Sequence, residues 1–201
     1  MLSSKEVEEI KKIKGQIRGV AFKNDFDYIK KKQGQKGVEK ITKRLKELGC
    51  EDKGVCQANV KAFSWYPLWY HVLLFVILHK EMDWTKKDIS GIGSHGAKVS
   101  LILKIFPKSM FDLKRFFSKA PVYWNKYFSV GKANLVELDL EKKLIILELK
   151  DFDVHHLECS TVKGYLEGLM RTMVETDKVK VEEIKCLHKG DDLHQFKITW
   201  K

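Results

Sequence analysis

The stretch that decides the fold is Cys159-Ser-Thr-Val162-Lys-Gly164-Tyr165-Leu166-Glu-Gly168-Leu169-Met170-Arg-Thr-Met173, with its continuation through Val179, Val181, Glu183 and Cys186 to Gly190-Asp191-Asp192-Leu-His194-Gln-Phe196-Lys-Ile198 and Trp200. Val162, Tyr165, Leu166, Leu169, Met170 and Met173 recur at steps of three and four, the period of a helix with one buried face. Asp177 marks a turn, Val179 and Val181 open an alternating run, Lys189 to Asp192 reverse the chain, and His194, Phe196 and Ile198 alternate on the return. A hairpin folded against its preceding helix gathers Cys159, Glu183, Cys186 and His194. Two thiols, a carboxylate and an imidazole are a donor set for tetrahedral zinc. A regular strand points residues 183 and 186 to opposite faces, so the set closes only if a bulge intervenes. Four protein ligands leave no open position, which makes such a zinc structural rather than catalytic.

The chain has 201 residues, 44% of them hydrophobic, and no Pro/Gly/Ser-rich linker divides it. That predicts one domain over residues 15–201 behind an N-terminal extension of residues 1–14. The net charge is +11, but only Arg18, Arg44, Arg115 and Arg171 are arginines among 38 basic residues. Recognition of bases and phosphates leans on the guanidinium fork, so the expectation is a solvated lysine surface and no specific nucleic acid. Four cysteines without a secretory signal point to a cytoplasmic protein whose thiols are free or metal-bound.

Upstream, residues 15–22 read as a first strand. Asn24 or Asp25 caps a helix over residues 26–32, a second helix covers residues 38–48 after a break at Gly34 and Gly37, and Gly49 ends it. The most apolar run, residues 63–78, falls short of the roughly 20 residues that cross a bilayer, which favours a buried helix and no membrane span. Thr85 or Asp88 caps a further helical region, where Gly91, Gly93 and Gly96 break the pattern. Those glycines match the letters of a dinucleotide fingerprint, without the preceding strand that the fingerprint needs. Pro107 and Pro121 start two more helices, and residues 135–149 read as a hairpin. Cys50 and Cys56 read as surface thiols.

Aromatic residues are abundant at positions 63–75 and 106–128. They serve either as core packing or as the wall of an apolar pocket between the helices and the sheet, with Trp69, Tyr70, His71, Phe106, Trp124 and Tyr127 as candidate ligand-binding residues. For catalysis the sequence offers little. Ser94-His95 lacks a nucleophile elbow, and Asp191-Asp192 sits where a turn wants aspartate.

Cys159-x-x-x-x-Gly164-Tyr165-x-x-Gly168, then Glu183-x-x-Cys186, then Gly190-Asp191-x-x-His194-x-Phe196, resembles the C-terminal signature of the 4-vinyl-reductase-type ligand-binding domain. That domain is related to the haem-NO-binding fold and to the core subunits of the TRAPP trafficking complex. The resemblance is strong over the last 40 residues or so and looser back to Gly15. It implies metal ligation by Cys159, Glu183 and Cys186, with His194 standing where the family has a fourth cysteine, and an apolar site for a small hydrophobic ligand. It stops short of haem, since no Tyr-x-Ser-x-Arg motif is present to hold propionates.

The expected architecture is α+β: an antiparallel sheet packed against a mainly helical layer, with a C-terminal helix and a zinc-fixed β-hairpin. The expected function is a non-catalytic sensor or carrier of a small hydrophobic molecule, acting through a homodimer or a separate effector protein. Two other readings stay open: a dimerising scaffold of the TRAPP-subunit type, and a vinyl reductase acting on a tetrapyrrole.

Overall fold

The computed structural model describes residues 2–50, 59–100 and 110–201, the side chains of 110–112 excepted. Helix α1 (Ser4–Lys11) is capped by Ser3 and buries Val7 and Ile10. Strand β1 (Gln16–Arg18) is shorter than the strand expected over residues 15–22, because the chain turns helical at Gly19. The residues that look like a strand's end instead begin the apolar face of α2 (Gly19–Glu47), where Phe22, Asp25, Phe26 and Ile29 fall at helical steps and are all buried. Gly34 kinks α2 with φ 69°, the expected break, and Gly49 follows its end at φ 90°. Cys50 is buried, against the surface position expected, and burial pushes its thiol up to about 12; Cys56 lies outside the described residues.

Strand β2 (Trp65–Pro67) pairs antiparallel with β1, and Pro67 then opens α3 (Leu68–Glu81), buried over most of its length. Arg44 of α2 grips Glu81 of α3 with two hydrogen bonds, at 2.9 and 3.1 Å. Among the described residues no helix is long and apolar enough to cross a membrane.

Thr85 caps α4 (Lys86–Val99) reciprocally with Asp88. Gly91, Gly93 and Gly96 do not break this helix. Two further helices, α5 (Met110–Phe117) and α6 (Ala120–Tyr127), lead to β3 (Lys132–Asp139) and β4 (Leu144–Lys150). Helix α7 (His156–Met173), β5 (Val179–Lys185), a single 3-10 turn (Leu187–Lys189) and β6 (His194–Trp200) complete the chain. The four-stranded sheet runs β3-β4-β6-β5, every pair antiparallel. A bulge in β3 falls between Leu135 and Glu137 and leaves Val136 facing solvent. The expected α+β class and its antiparallel sheet are therefore present.

Helices α4 and α7 touch backbone to backbone, and their glycines make this contact. A Cβ on Gly164 would stand 1.8 Å from the Ser90 carbonyl oxygen, and one on Gly93 would stand 2.0 Å from that of Thr161. Of the three glycines that interrupt the sequence pattern, Gly93 belongs to this seam, with Gly164 and Gly168 of α7, whereas Gly91 makes room for the Tyr28 hydroxyl of α2. On the two sides of the seam lie separate cores. One is helical, around Phe22, Phe26, His71's neighbours on α3, and Phe152; the other joins Leu166, Leu169 and Met170 to the sheet's Ile145, Phe196 and Ile198.

Gly164→Ala is expected to lower stability by about 1–3 kcal/mol through overpacking. Gly96→Ala, whose Cβ meets nothing nearer than Asn24 Nδ2 at 3.9 Å, should be neutral or gain up to about 1 kcal/mol from helix propensity. Urea unfolding of both variants checks the pair; equal effects would refute the seam.

Candidate functional site

Two groups of functional side chains flank the first turn of α7. The first is the set read from the sequence: the donor atoms of Cys159, Glu183, Cys186 and His194 all lie within 4.8 Å of one another. His194 Nδ1 is 3.6 Å from Cys159 Sγ and 3.1 Å from Glu183 Oε1. Donors on one tetrahedral zinc stand about 3.3–3.8 Å apart, given metal bonds of about 2.0–2.3 Å, so the set needs little closing.

The required bulge exists. Pairing of β5 with β6 shifts between Glu183 and Lys185, so Glu183 faces the group while Cys186 enters it from beyond the strand's end. His194 turns Nε2 to the Phe152 carbonyl at 3.1 Å, which fixes that nitrogen as the donor and presents Nδ1 to the group. The Cys186 N–H donates to Asp191 at 2.7 Å, tying down the loop. Burial pushes both thiols up, and the Glu183 carboxylate raises them further. A central cation would reverse that balance. His155, His156 and His188 are near neighbours in a ring-to-ring chain, but they are not members of the group.

The second group lies inside. A cavity of about 180 Å³ opens between the helical core and the sheet. Its wall is aromatic, with Phe116, Phe117, Tyr123, Trp124, Tyr127 and Phe128 contributed by α5, α6 and the residue after α6. Trp124 stacks on Phe128 at 4.4 Å, and Phe116 on Tyr123 at 4.8 Å. Tyr165 also lines it; burial first, and then neighbouring Tyr127, pushes its hydroxyl up to about 12, so it stays protonated.

Against this apolar wall stand three ionisable residues. His71 Nδ1 is 2.7 Å from Glu158 Oε1, and His71 Nε2 is 2.8 Å from Asp25 Oδ2. All three are buried and line the cavity. Burial by itself disfavours the charged imidazole, but Glu158 and Asp25 outweigh it and raise His71 from 6.5 to about 10. Burial likewise raises Asp25, opposed by His71 and, from α4, by His95.

Of the residues expected to bind ligand, His71, Trp124 and Tyr127 line the cavity. Trp69 and Tyr70 do not: they lie on other faces of α3 and pack on each other at 4.1 Å. Phe106 lies outside the described residues. Asp25 and Glu158 escape a reading of the sequence. Asp25 reads as a helix cap, although its place between Phe22 and Phe26 on an apolar face is the available signal. Glu158 is hidden beside Cys159 as an ordinary acid in a helix's first turn.

Solved structures share this fold. An H-NOX protein from S. oneidensis in the Fe(II)NO state superposes with TM-score 0.67 at 15% identity, over 92% of this chain and 99% of the other. An Fe(II) unliganded H-NOX protein from K. algicida gives 0.62 at 14%, over 92% and 97%. A structure concerned with porphyrin distortion and haem redox potential gives 0.63 at 12%, over 92% and 100%. No family model and no curated protein matches the chain. The chain thus has the H-NOX fold, at identities that speak for the fold alone.

The fold implies a haem, and the residues present do not fit one. All seven histidines are described, and of them only His71 lines the cavity, with both nitrogens held by carboxylates. His95 turns instead to Asp27, at 3.1 Å. Tyr127-Phe-Ser129-Val-Gly131 carries the tyrosine and serine of the propionate motif, but a glycine stands where that motif has arginine. Gly131 is at φ 80°, and a Cβ there would press on Phe152 at 3.0 Å and Trp124 at 3.1 Å, so no guanidinium could be built from this position. Ser129 is spent on the N–H of Gln16 at 2.8 Å.

Haemin added to the reduced protein should therefore produce no saturable Soret shift; a stoichiometric shift would restore a haem site. A second expectation concerns pH. His71 is raised above its unfolded value, so the stability it contributes is complete below about pH 6.5 and is lost as pH climbs toward 10. Asp25, also raised, loses its contribution in the same direction. Urea unfolding at pH 6, 8 and 10 should show a falling midpoint. His71→Gln should be much weaker at pH 6, with the difference from the parent narrowing at pH 10; a constant difference would refute the coupling.

Proposed function

We propose that this chain is a non-catalytic small-molecule sensor or carrier domain on the H-NOX fold, with a structural zinc fixing its C-terminal hairpin to α7. The observation that carries the ligand-binding reading is the aromatic cavity between the two cores. Enclosed apolar cavities with a few converging polar groups are where folds of this kind hold ligands. An apolar cavity of about 150 Å³ takes a benzene, so one of about 180 Å³ suits a ligand of roughly one ring. Its only imidazole is clamped on both sides and serves as no free base, which supports binding over catalysis.

The zinc reading rests on the group at Cys159, Glu183, Cys186 and His194 together with the 4-vinyl-reductase-like signature that those residues carry. His194, oriented by the Phe152 carbonyl, would serve as the nitrogen ligand. Zinc there ties the start of α7 to both strands of the last hairpin. Output from the ligand site then passes to a second copy or to an effector protein.

Native mass spectrometry under reducing conditions should find one zinc per chain, and Cys186→Ser should lose it with a clear fall in melting temperature. A metal-free protein whose melting is unchanged by chelation would remove the zinc. A thermal-shift screen of one-ring compounds tests the cavity, because a ligand bound only to the folded state raises its stability by mass action. No stabilising compound in that screen would favour a packed scaffold.

A further inference from the structure

The short ribbon of β1 and β2 has an outward face that neither the cavity nor the Cys/Glu/Cys/His group uses. Ile17 and Tyr66 pair across the ribbon and are buried, so the next pair, Arg18 and Trp65, stands on the opposite side. The Arg18 guanidinium lies 4.0 Å from the centre of the Trp65 ring and donates to the carbonyls of Phe63 and, at 3.3 Å, of Lys126. Ser129 exchanges two further hydrogen bonds with Gln16, at 2.8 and 2.9 Å. Three segments distant in sequence are thereby gathered at one place.

Just before β2 the Ser64 N–H closes a turn onto the Lys61 carbonyl at 3.1 Å, and within this turn Phe63 is 83% exposed. It is the one aromatic among the large apolar side chains that the described residues leave exposed. The charge around it has a single sign. The segments that meet there, residues 10–24, 59–80 and 119–136, contain no aspartate or glutamate, in a chain that has 27. Lys61 and Lys126 are exposed beside the half-buried Arg18.

A ring projecting from a turn, a tryptophan beside it and bases without acids together narrow the partner. A second copy of this chain would bring the same charge and be repelled. A single strand of nucleic acid is held by ring faces open along a groove, whereas Arg18 covers a face of Trp65 and Phe63 stands out on a turn. An anionic bilayer needs no groove: lysines meet its headgroups as point charges, and aromatic rings settle at its interface.

We propose that this face docks on an anionic membrane surface, with Phe63 entering the lipid interface while Arg18, Lys61 and Lys126 meet the headgroups. The contact is peripheral, and it stands independently of the ligand and zinc readings.

The test centrifuges the purified chain with vesicles of phosphatidylcholine, alone or with phosphatidylserine added, at low and near-physiological salt. Binding to the anionic vesicles should exceed binding to the neutral ones at least about tenfold at low salt and weaken as salt rises. Phe63→Ser should weaken it about fivefold with the melting temperature unchanged, because so little of the side chain is buried, and Phe63→Leu should fall between. Lys61→Glu with Lys126→Glu should weaken it more than Lys30→Glu with Lys36→Glu, an equal change of net charge at the exposed corner of α2 around Gly34. No preference for anionic vesicles, a Phe63→Ser variant that binds as tightly as the parent, or equal effects of the two charge reversals would overturn the proposal. Tighter binding to a single-stranded oligonucleotide or to polyglutamate than to the anionic vesicles would also overturn it, and would give the face to a nucleic acid or an acidic protein.

Discussion

The clamp of His71 between Asp25 and Glu158 is the interaction on which the arrangement depends. It joins α7 to α2 and α3, two helices that Arg44 and Glu81 also tie to each other, through two short hydrogen bonds among buried side chains. Removing one partner of such a trio leaves uncompensated buried charge, at a cost of about 3–5 kcal/mol. Nonpolar packing tolerates sliding, but two directed bonds to one planar ring do not. The clamp therefore sets the rotation of α7 about its own axis, and with it the faces that α7 presents to everything else.

That rotation matters because Glu158 and Cys159 are consecutive. Successive residues on a helix diverge by about 100°, so fixing Glu158 toward His71 necessarily aims Cys159 toward the last hairpin. One turn of one helix thus serves the buried clamp on one side and the Cys/Glu/Cys/His group on the other. The glycine seam sets the remaining freedom, the distance of α7 from α4, since Gly93 and Gly164 allow backbones to meet where any Cβ would hold them apart. Orientation by a polar clamp and approach by glycine together leave the cavity as the space that α5, α6 and the sheet cannot fill.

How much of this was legible in the sequence follows from the range of each signal. The C-terminal helix and hairpin were readable because their periods are local and their turn carries Gly190 and Asp191, and the four donors were readable because chemistry limits which residues hold a metal. The bulge that unites Glu183 and Cys186 was only a condition, since nothing in Ile184 itself announces it. Gly91, Gly93 and Gly96 misled: propensity treats glycine as a breaker, whereas Gly93 makes room for α7 and Gly91 for Tyr28 of α2, each more than sixty residues away in sequence. Asp25 misled for a similar reason. A lone acid near the start of a helix reads as a cap, and its place between Phe22 and Phe26 on the apolar face, the one local sign of burial, gains meaning only from its partner on α3. Trp69 and Tyr70 read as pocket wall through the abundance of aromatic residues at positions 63–75, and abundance alone does not say which face of a helix each residue takes.

The comparison with H-NOX structures separates what a fold conserves from what a site requires. Superposition over nearly the whole chain at about one residue in seven identical shows that the backbone arrangement survives the replacement of most side chains. The backbone arrangement is what the two share; the side chains that line the cavity are this chain's own. A haem brings two propionates and needs an axial ligand, whereas this cavity has carboxylates of its own, a histidine whose nitrogens are both occupied, and a glycine locked between Phe152 and Trp124 at the position of the missing arginine. These differences act in one direction. Each removes a contact that a haem would need.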